Sequence, residues 1–223
     1  MKNSYYHRFQ LITHMFFFRP YLRWAYKRGI KDVEMLSVKP NFTKNTFSCL
    51  LCGVAGEVTA EEFIKFVFSK NPKAQITIID MGTEQIAAVK KIVDEKYKNY
   101  AIKIKQMNAL DLTKKFKPNS FDWIETDGFI EYFDKKSLEE LLHQWKLLLK
   151  KDGFITTRDF ASIPPFGFLV DGIRYWFIKK YLTLSGYIHT KKDLQTLFTE
   201  NDFRFVHGLT PIPTYRRFAL VLK

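Results

Sequence analysis

An α/β fold with a doubly wound, mostly parallel sheet is predicted by three features of this sequence. Residues 49–80 parse as strand, glycine turn, helix, loop and strand. Further short apolar runs then alternate with helical stripes as far as residue 200. Two strand-like runs, at 203–206 and 218–222, follow with no helix between them and pair antiparallel.

In chain order, two helices come first. Tyr5, Phe9, Ile12 and Phe16 recur on one helical face, and Pro20 starts a second short helix with Trp24 and Ala25 inward and Gly29 at its end. Residues 47–52 form an apolar run suited to a buried parallel strand, closed by a turn holding Gly53 and Gly56. Thr59 and Glu62 have capping-box spacing, and Phe63, Phe66 and Val67 then follow a helical period. Pro72 closes that unit, and residues 76–79 climb to Asp80 at a strand's carboxyl end. Glu84 opens a helix with Ile86, Val89, Val93 and Tyr97 inward, and Ile102, Ile104 and Gln106 alternate with lysines in a third strand. Residues 121–125 are the fourth strand. Ser137 and Glu140 repeat the capping-box spacing before the clearest amphipathic helix, which turns Leu138, Leu141, Leu142 and Trp145 inward. Asp152 and Gly153 turn into a fifth strand at 154–158, and Thr190 caps a last helix. The organisation is one domain over 1–223. It has a helical cap (1–46), a core (47–159), an aromatic insertion (160–189) and a closing helix with a strand pair (190–223).

Composition narrows the class. A 223-residue chain that is 46% hydrophobic can bury a sizeable core and is not a disordered one. No apolar run approaches the roughly 18–20 residues of a membrane-spanning helix, and the N-terminus lacks a signal-peptide pattern, so a cytoplasmic protein is expected. Cys49 and Cys52 spell C-x-x-C without a second such pair or a histidine set, and both fall on the first strand, where they read as core residues. No metal-ligand constellation is visible.

The net charge is +13, with 27 lysines to 9 arginines. Most are scattered as solvated pairs rather than gathered into a phosphate-reading groove. Residues 1–31 differ, with seven Lys/Arg, no Asp or Glu, and aromatic residues interleaved. A helical layer on the sheet, a cover over a ligand site and a membrane-surface helix all fit that pattern. The insertion at 160–189 is also aromatic, with one acid and three bases; a satellite core and a specificity loop fit it equally.

Asp80 stands where open α/β sheets bind ligands, and its carboxylate can accept hydrogen bonds from a ribose diol. A dinucleotide fold wants G-x-G-x-x-G, but only Gly53 and Gly56 are present, with Asp80 27 residues after Gly53. The pieces downstream decide between cofactors. They are the turn G-V-A-G-E at 53–57, Asp80, N-A-L-D at 108–111, F-D-W-I-E-T-D-G-F-I-E-Y-F at 121–133 and L-L-K-K-D-G-F-I at 148–155. From about residue 47 to the C-terminus the chain resembles the class I S-adenosylmethionine-dependent methyltransferases. It departs from their pattern at the end of the first strand, where leucine replaces the usual acid, and at Asn108, where Asp is commoner.

The resemblance implies a Rossmann-like methyltransferase fold with a seven-stranded sheet, S-adenosylmethionine as cofactor, and an EC 2.1.1 activity. It implies that Cys52, Gly53, Val54, Ala55 and Gly56 meet the cofactor's amino-acid end, Asp80 and Met81 its ribose, and Asn108, Ala109, Leu110 and Asp111 its adenine. Thr126, Asp127 and Gly128 then lie near the sulfonium. The N-terminal segment distantly resembles the cap of quinone and phospholipid methyltransferases, with Tyr6 its best-matched residue. A base is needed only if the nucleophile arrives protonated; His7, His14, Tyr132 and Asp159 are candidates. Arg158 and Arg174 suit an anionic acceptor, with Tyr175 and Trp176 beside them in the insertion. The expected acceptor is a small apolar, aromatic or lipid-like molecule, with peripheral membrane contact open. The alternatives are a nucleic-acid methyltransferase, disfavoured by the lack of an appended RNA-binding domain, and a non-catalytic cofactor- or membrane-binding protein on the same fold. Segments 1–31 and 160–189 are expected to meet over the carboxyl edge of the sheet.

Overall fold

A computed structural model of the chain describes residues 5–182 and 186–223. Seven strands build one sheet: β1 (Ser48–Cys52), β2 (Gln75–Asp80), β3 (Ile102–Gln106), β4 (Phe121–Asp127), β5 (Leu149–Phe160), β6 (Phe203–Leu209) and β7 (Tyr215–Leu222). Their spatial order is β3-β2-β1-β4-β5-β7-β6. The first five are parallel neighbours, while β7 runs antiparallel between β5 and β6. Winding reverses between β1 and β4, so a crevice opens where their carboxyl ends diverge. This is the doubly wound fold expected, with its antiparallel closing strands.

Helices cover both faces: α1 (Tyr5–Thr13), α2 (Phe18–Glu34), α3 (Glu57–Lys70), α4 (Thr83–Lys96), the short α5 (Leu112–Lys115), α6 (Lys135–Leu148), α7 (Phe166–Phe177) and α8 (Lys191–Glu200). Alternation along β1 divides the core. Cys49 and Leu51 join Tyr26, Phe63 and Trp123 under α2 and α3, while Leu50 and Cys52 join Leu141, Trp145 and Phe198 under α6 and α8. Both cysteines are free and fully buried, and burial pushes their thiols well up from the usual range, so they act as core residues.

Three local expectations need correction. α3 begins at Glu57, so Thr59 lies inside its first turn and makes no cap, and Glu62 faces the N-terminal layer instead. α6 is capped by Asp134, whose carboxylate accepts from the Ser137 N–H at 2.7 Å, rather than by Ser137 with Glu140. Gly29 does not end α2. The helix runs on to Glu34 because the glycine packs against β5, where a Cβ would lie 3.1 Å from the Thr156 methyl. The Thr190 cap forms as expected, as a full capping box with Asp193.

The N-terminal layer is pinned by ion pairs. Arg19 Nη1 donates to Glu61 at 2.8 Å and to Glu62 at 2.7 Å, and Arg23 Nε donates to Glu62 at 2.6 Å. Glu61 and Glu62 are almost wholly buried on α3. Burial alone would raise their pKa values, but the hydrogen bonds prevail: Arg19, Lys65 and Lys96 hold Glu61 down at about 2, and Arg23 with Arg19 lowers Glu62. Farther along α2, Asp32 pairs with Arg217 of β7 at 2.5 Å. These contacts fix α2 beside the crevice. No helix among the described residues is long and apolar enough to cross a membrane.

Candidate active site

A cavity of about 2060 Å³ opens at the carboxyl edge of the parallel strands. Its floor comes from four strand ends: Gly53, Val54 and Ala55 after β1, Asp80 and Met81 at β2, Asn108 to Leu110 after β3, and Asp127 with Gly128 at β4. Its roof comes from the two aromatic segments. α1 and α2 supply Tyr6, Phe9, Phe18, Tyr21 and Trp24, and the insertion supplies Phe160, Arg174, Phe177 and Tyr181. The two segments touch directly, since Arg8 donates to the backbone carbonyl of Tyr181.

The floor is rigid for identifiable reasons. Asp80 Oδ2 accepts from the Val54 N–H at 2.8 Å and Oδ1 from the Gly82 N–H at 2.6 Å, which locks the turns after β1 and β2 to one carboxylate. Burial pushes its pKa up, and those backbone donors oppose the rise. The Asn108 side chain accepts from Leu110 N–H at 3.0 Å, shaping the 3₁₀ turn that follows β3. Gly53 has φ +74°, and a Cβ there would collide with the ring of Phe129; a Cβ on Gly56 would lie 3.0 Å from the Tyr6 ring. The space these two glycines leave is thus filled by aromatic rings of this chain. Tyr6 also donates to Glu57 at 2.8 Å, and burial followed by that carboxylate raises its pKa to about 12.

A buried charge network supports the β4 end. Arg158 lies between Glu125, to which it donates, and Asp127 at 3.2 Å, with its guanidinium over the Tyr26 ring. Asp127 also accepts from the Tyr215 hydroxyl. Burial raises Glu125 to about 7 despite Arg158. Asp159 sits beneath the turn after β4, where its oxygens accept from the Ile130 N–H at 3.1 Å, the Glu131 N–H at 3.2 Å and the Thr157 hydroxyl at 3.0 Å. Burial, then the Glu131 charge, raises its pKa to about 7.

The expected site residues divide accordingly. Tyr6, Gly53, Val54, Ala55, Asp80, Met81, Asn108, Ala109, Leu110, Asp127, Gly128, Tyr132 and Arg174 all reach the cavity wall. Cys52, Gly56, Asp111 and Thr126 are not among the described lining residues: Cys52 turns into the α6 core, and Asp111 pairs with Lys114 at the surface. Six residues stand elsewhere than expected. Arg158 cannot meet an acceptor, because it is wholly buried and its charge is matched by Glu125 and Asp127. Asp159 is a positioning group for the turn rather than a base in contact with ligand. His7 and His14 are exposed and off the wall, His14 lying 3.5 Å from Glu57. Trp176 points outward with Lys180 over its ring, and the Tyr175 hydroxyl is taken by Glu131 and the Tyr187 carbonyl.

Glu131 was not legible in the sequence. It is buried on the cavity wall, and its Oε2 accepts from Arg174 at 3.3 Å and from Tyr175 at 3.0 Å, tying the insertion to the β4 turn. Burial raises its pKa, against the pull of Arg174. Among the described residues, the buried Thr59 and Tyr21 hydroxyls and the Nε and Nη2 of Arg174 have no hydrogen-bond partner in the protein, and all three residues line the cavity. Among the described residues, no group of three His, Cys, Asp or Glu side chains is placed to hold a metal ion.

Residues 52–153 match the family described as methyltransferase domain. No curated protein matches the sequence. A S-adenosylmethionine-dependent methyltransferase from Methanosarcina mazei is similar at 17% identity over 82% of this chain and 95% of its own, with a TM-score of 0.61. An O-methyltransferase family protein from Burkholderia thailandensis is similar at 13% identity over 100% of this chain and 64% of its own, with a TM-score of 0.65. Geranyl diphosphate C-methyltransferase from Streptomyces coelicolor A3(2), solved with Mg²⁺, geranyl diphosphate and S-adenosyl-L-homocysteine, is 11% identical over 85% of this chain and 77% of its own, with a TM-score of 0.62. Residues 52–153 thus match a methyltransferase-domain family, and the fold is the one shared with S-adenosylmethionine-dependent methyltransferases.

Proposed function

We propose that this protein transfers a methyl group from S-adenosylmethionine to a small, largely apolar acceptor of aromatic or lipid-like character. The observation that carries the reading is the cavity. Its volume of about 2060 Å³ is twice the upper end of the roughly 300–1,000 Å³ usual for one ligand, which leaves room for cofactor and acceptor together. Its roof is built from Phe9, Phe18, Trp24, Phe160, Phe177 and Tyr181. A nucleic-acid acceptor would call for a basic groove. Of the three cations among the lining residues, Arg8 and Arg174 are already engaged, by the Tyr181 carbonyl and by Glu131, which leaves Lys180 alone beside the Trp176 ring and far short of a groove.

The wall fits the cofactor. Each Asp80 oxygen uses one lone pair on a backbone N–H and keeps another for a ribose hydroxyl. The unpartnered Thr59 hydroxyl, in the first turn of α3, is a ready contact for the amino-acid end. When bound, S-adenosylmethionine supplies an electrophilic methyl group on a cationic sulfur. The chain's own task is mostly positioning: holding the acceptor in line and excluding water strengthens every polar contact in the chamber. The Tyr21 hydroxyl, buried and unpartnered, orients a polar atom of the acceptor. A nucleophile that arrives protonated meets Tyr132 and Glu131 on the wall. Glu131, a carboxylate whose pKa is raised by burial, is the proton acceptor of the two.

The test is incubation with methyl-labelled S-adenosylmethionine and a cell extract split into aqueous, organic-soluble and nucleic-acid fractions. Label in the organic-soluble fraction is expected. Label confined to nucleic acid would overturn the acceptor class.

A further inference from the structure

α7 is built inside out. Its buried positions include Gly167 and the acid Asp171, whereas Phe166 (79% exposed), Leu169 (64%), Ile173 (63%) and Trp176 (59%) form a stripe at i, i+3, i+7 and i+10 that faces solvent. A soluble helix normally turns such a stripe to the core. Beside it, α1 exposes Leu11 (79%) and the turn between α1 and α2 exposes Phe16 (92%). The two groups belong to one surface, because α1 is bonded to the π-helical segment Ile178–Leu182 that continues α7. Leu11, Ile12, Phe17, Phe177 and Tyr181 are at once exposed and part of the cavity wall, so apolar side chains of the patch reach the chamber.

We propose that this face docks on the surface of an anionic lipid bilayer and that the acceptor enters the cavity from the bilayer. Three observations favour a bilayer over other occupants. The exposed charges of α7 and the segment after it are Lys179 and Lys180; the one acid there, Asp171, is fully buried, and α1 has none. Lys180 Nζ lies 4.7 Å from the Trp176 ring and 5.5 Å from the Tyr181 ring, which puts cation and amphipathic aromatics at one level, as a headgroup boundary requires. A second copy of the chain would bring like charges together, since each carries +13. At 12 residues, α7 lies along a surface rather than crossing it. The docking stands on these features alone; only the entry route rests on the methyltransferase reading.

Co-sedimentation of the full chain with vesicles tests it, using phosphatidylcholine alone and phosphatidylcholine with phosphatidylglycerol, at low and high salt. The protein is expected to pellet with anionic vesicles, to bind neutral ones more weakly, and to be released by salt. Leu169→Glu with Ile173→Glu, both off the cavity wall, should lower partition by about tenfold or more. Thermal unfolding and S-adenosylhomocysteine binding of this variant, measured alongside, should match the wild type and so exclude misfolding as the cause. Equal sedimentation of wild type and variant, or no binding to either vesicle, would overturn the proposal. So would a wild-type dimer without lipid that the double substitution converts to monomer, because the face would then be a self-association surface. Failure of the wild type to bind S-adenosylhomocysteine would sink the methyltransferase reading while leaving the docking result intact.

Discussion

Removing Arg19 and Arg23 together should unclasp the N-terminal layer from the core. Glu62 is 1% exposed and its charge is met by Arg19 at 2.7 Å and Arg23 at 2.6 Å, the next cation being Lys65 at 3.9 Å. Arg19→Ala with Arg23→Ala therefore leaves a buried carboxylate almost unpaired, which costs about 3–5 kcal/mol. That is a large share of the roughly 5–15 kcal/mol that holds a domain folded. Each arginine is partly solvated, so the loss comes from the glutamate side rather than from the surface pair itself. Adding Glu62→Gln to the double variant removes the stranded charge and should restore part of the stability, a coupling that a double-mutant cycle isolates. Because Glu62 is held below its usual pKa, the clasp contributes fully above about pH 4.5 and is lost as pH falls through the lowered value. Urea unfolding at pH 7 and pH 3.5 measures both effects. A double variant within about 1 kcal/mol of wild type at pH 7 would refute the reasoning, since surface pairs alone account for that much.

Two further outcomes are expected. Asp159 binds a proton up to about pH 7 in the folded chain but releases it near pH 3.9 when unfolded, so its contribution to stability falls as pH rises between about 4 and 7. The stability difference between wild type and Asp159→Asn should decline over that window, and a flat difference would contradict the assignment. Asp80→Asn keeps one acceptor oxygen for the Val54 or Gly82 N–H but loses the charge, so cofactor affinity should drop about tenfold or more, from hydrogen bonds worth about 1.5–3 kcal/mol each. An unchanged dissociation constant by calorimetry would place the ribose elsewhere.

Local pattern carried most of the fold. The apolar run ending in Cys52, the climb to Asp80 and the Thr190 cap are signals in which period, turn chemistry and burial agree, and each formed where expected. Boundaries failed where a distant partner overrode a local motif. Gly29 ends a helix by its own preference, yet β5 needs its missing side chain, and Glu62 fits a capping box, yet two arginines some forty residues earlier claim it. The site behaved likewise. Asp80 and Asn108 announce themselves at strand ends, and an insertion leaving the carboxyl end of the fifth strand pointed the aromatic segments to one edge, where Tyr6, Phe9 and Trp24 share a cavity with Phe160, Phe177 and Tyr181. Arg158 looked available because no sequence shows that Glu125 and Asp127, on the neighbouring strand, would neutralise it. Glu131 was hidden for the converse reason, since its partners Arg174 and Tyr175 lie beyond β5.

The central claim is that the chamber at the strand ends holds the cofactor of a methyltransferase and is closed by the chain's own aromatic roof. Calorimetric titration of the intact protein with S-adenosyl-L-homocysteine tests it most directly, with Tyr21→Phe and Asp80→Asn run in parallel. Saturable one-to-one binding is expected, weakened by Asp80→Asn and little changed by Tyr21→Phe, whose hydroxyl faces the acceptor. No heat from the wild type, or binding that is indifferent to Asp80, would contradict it.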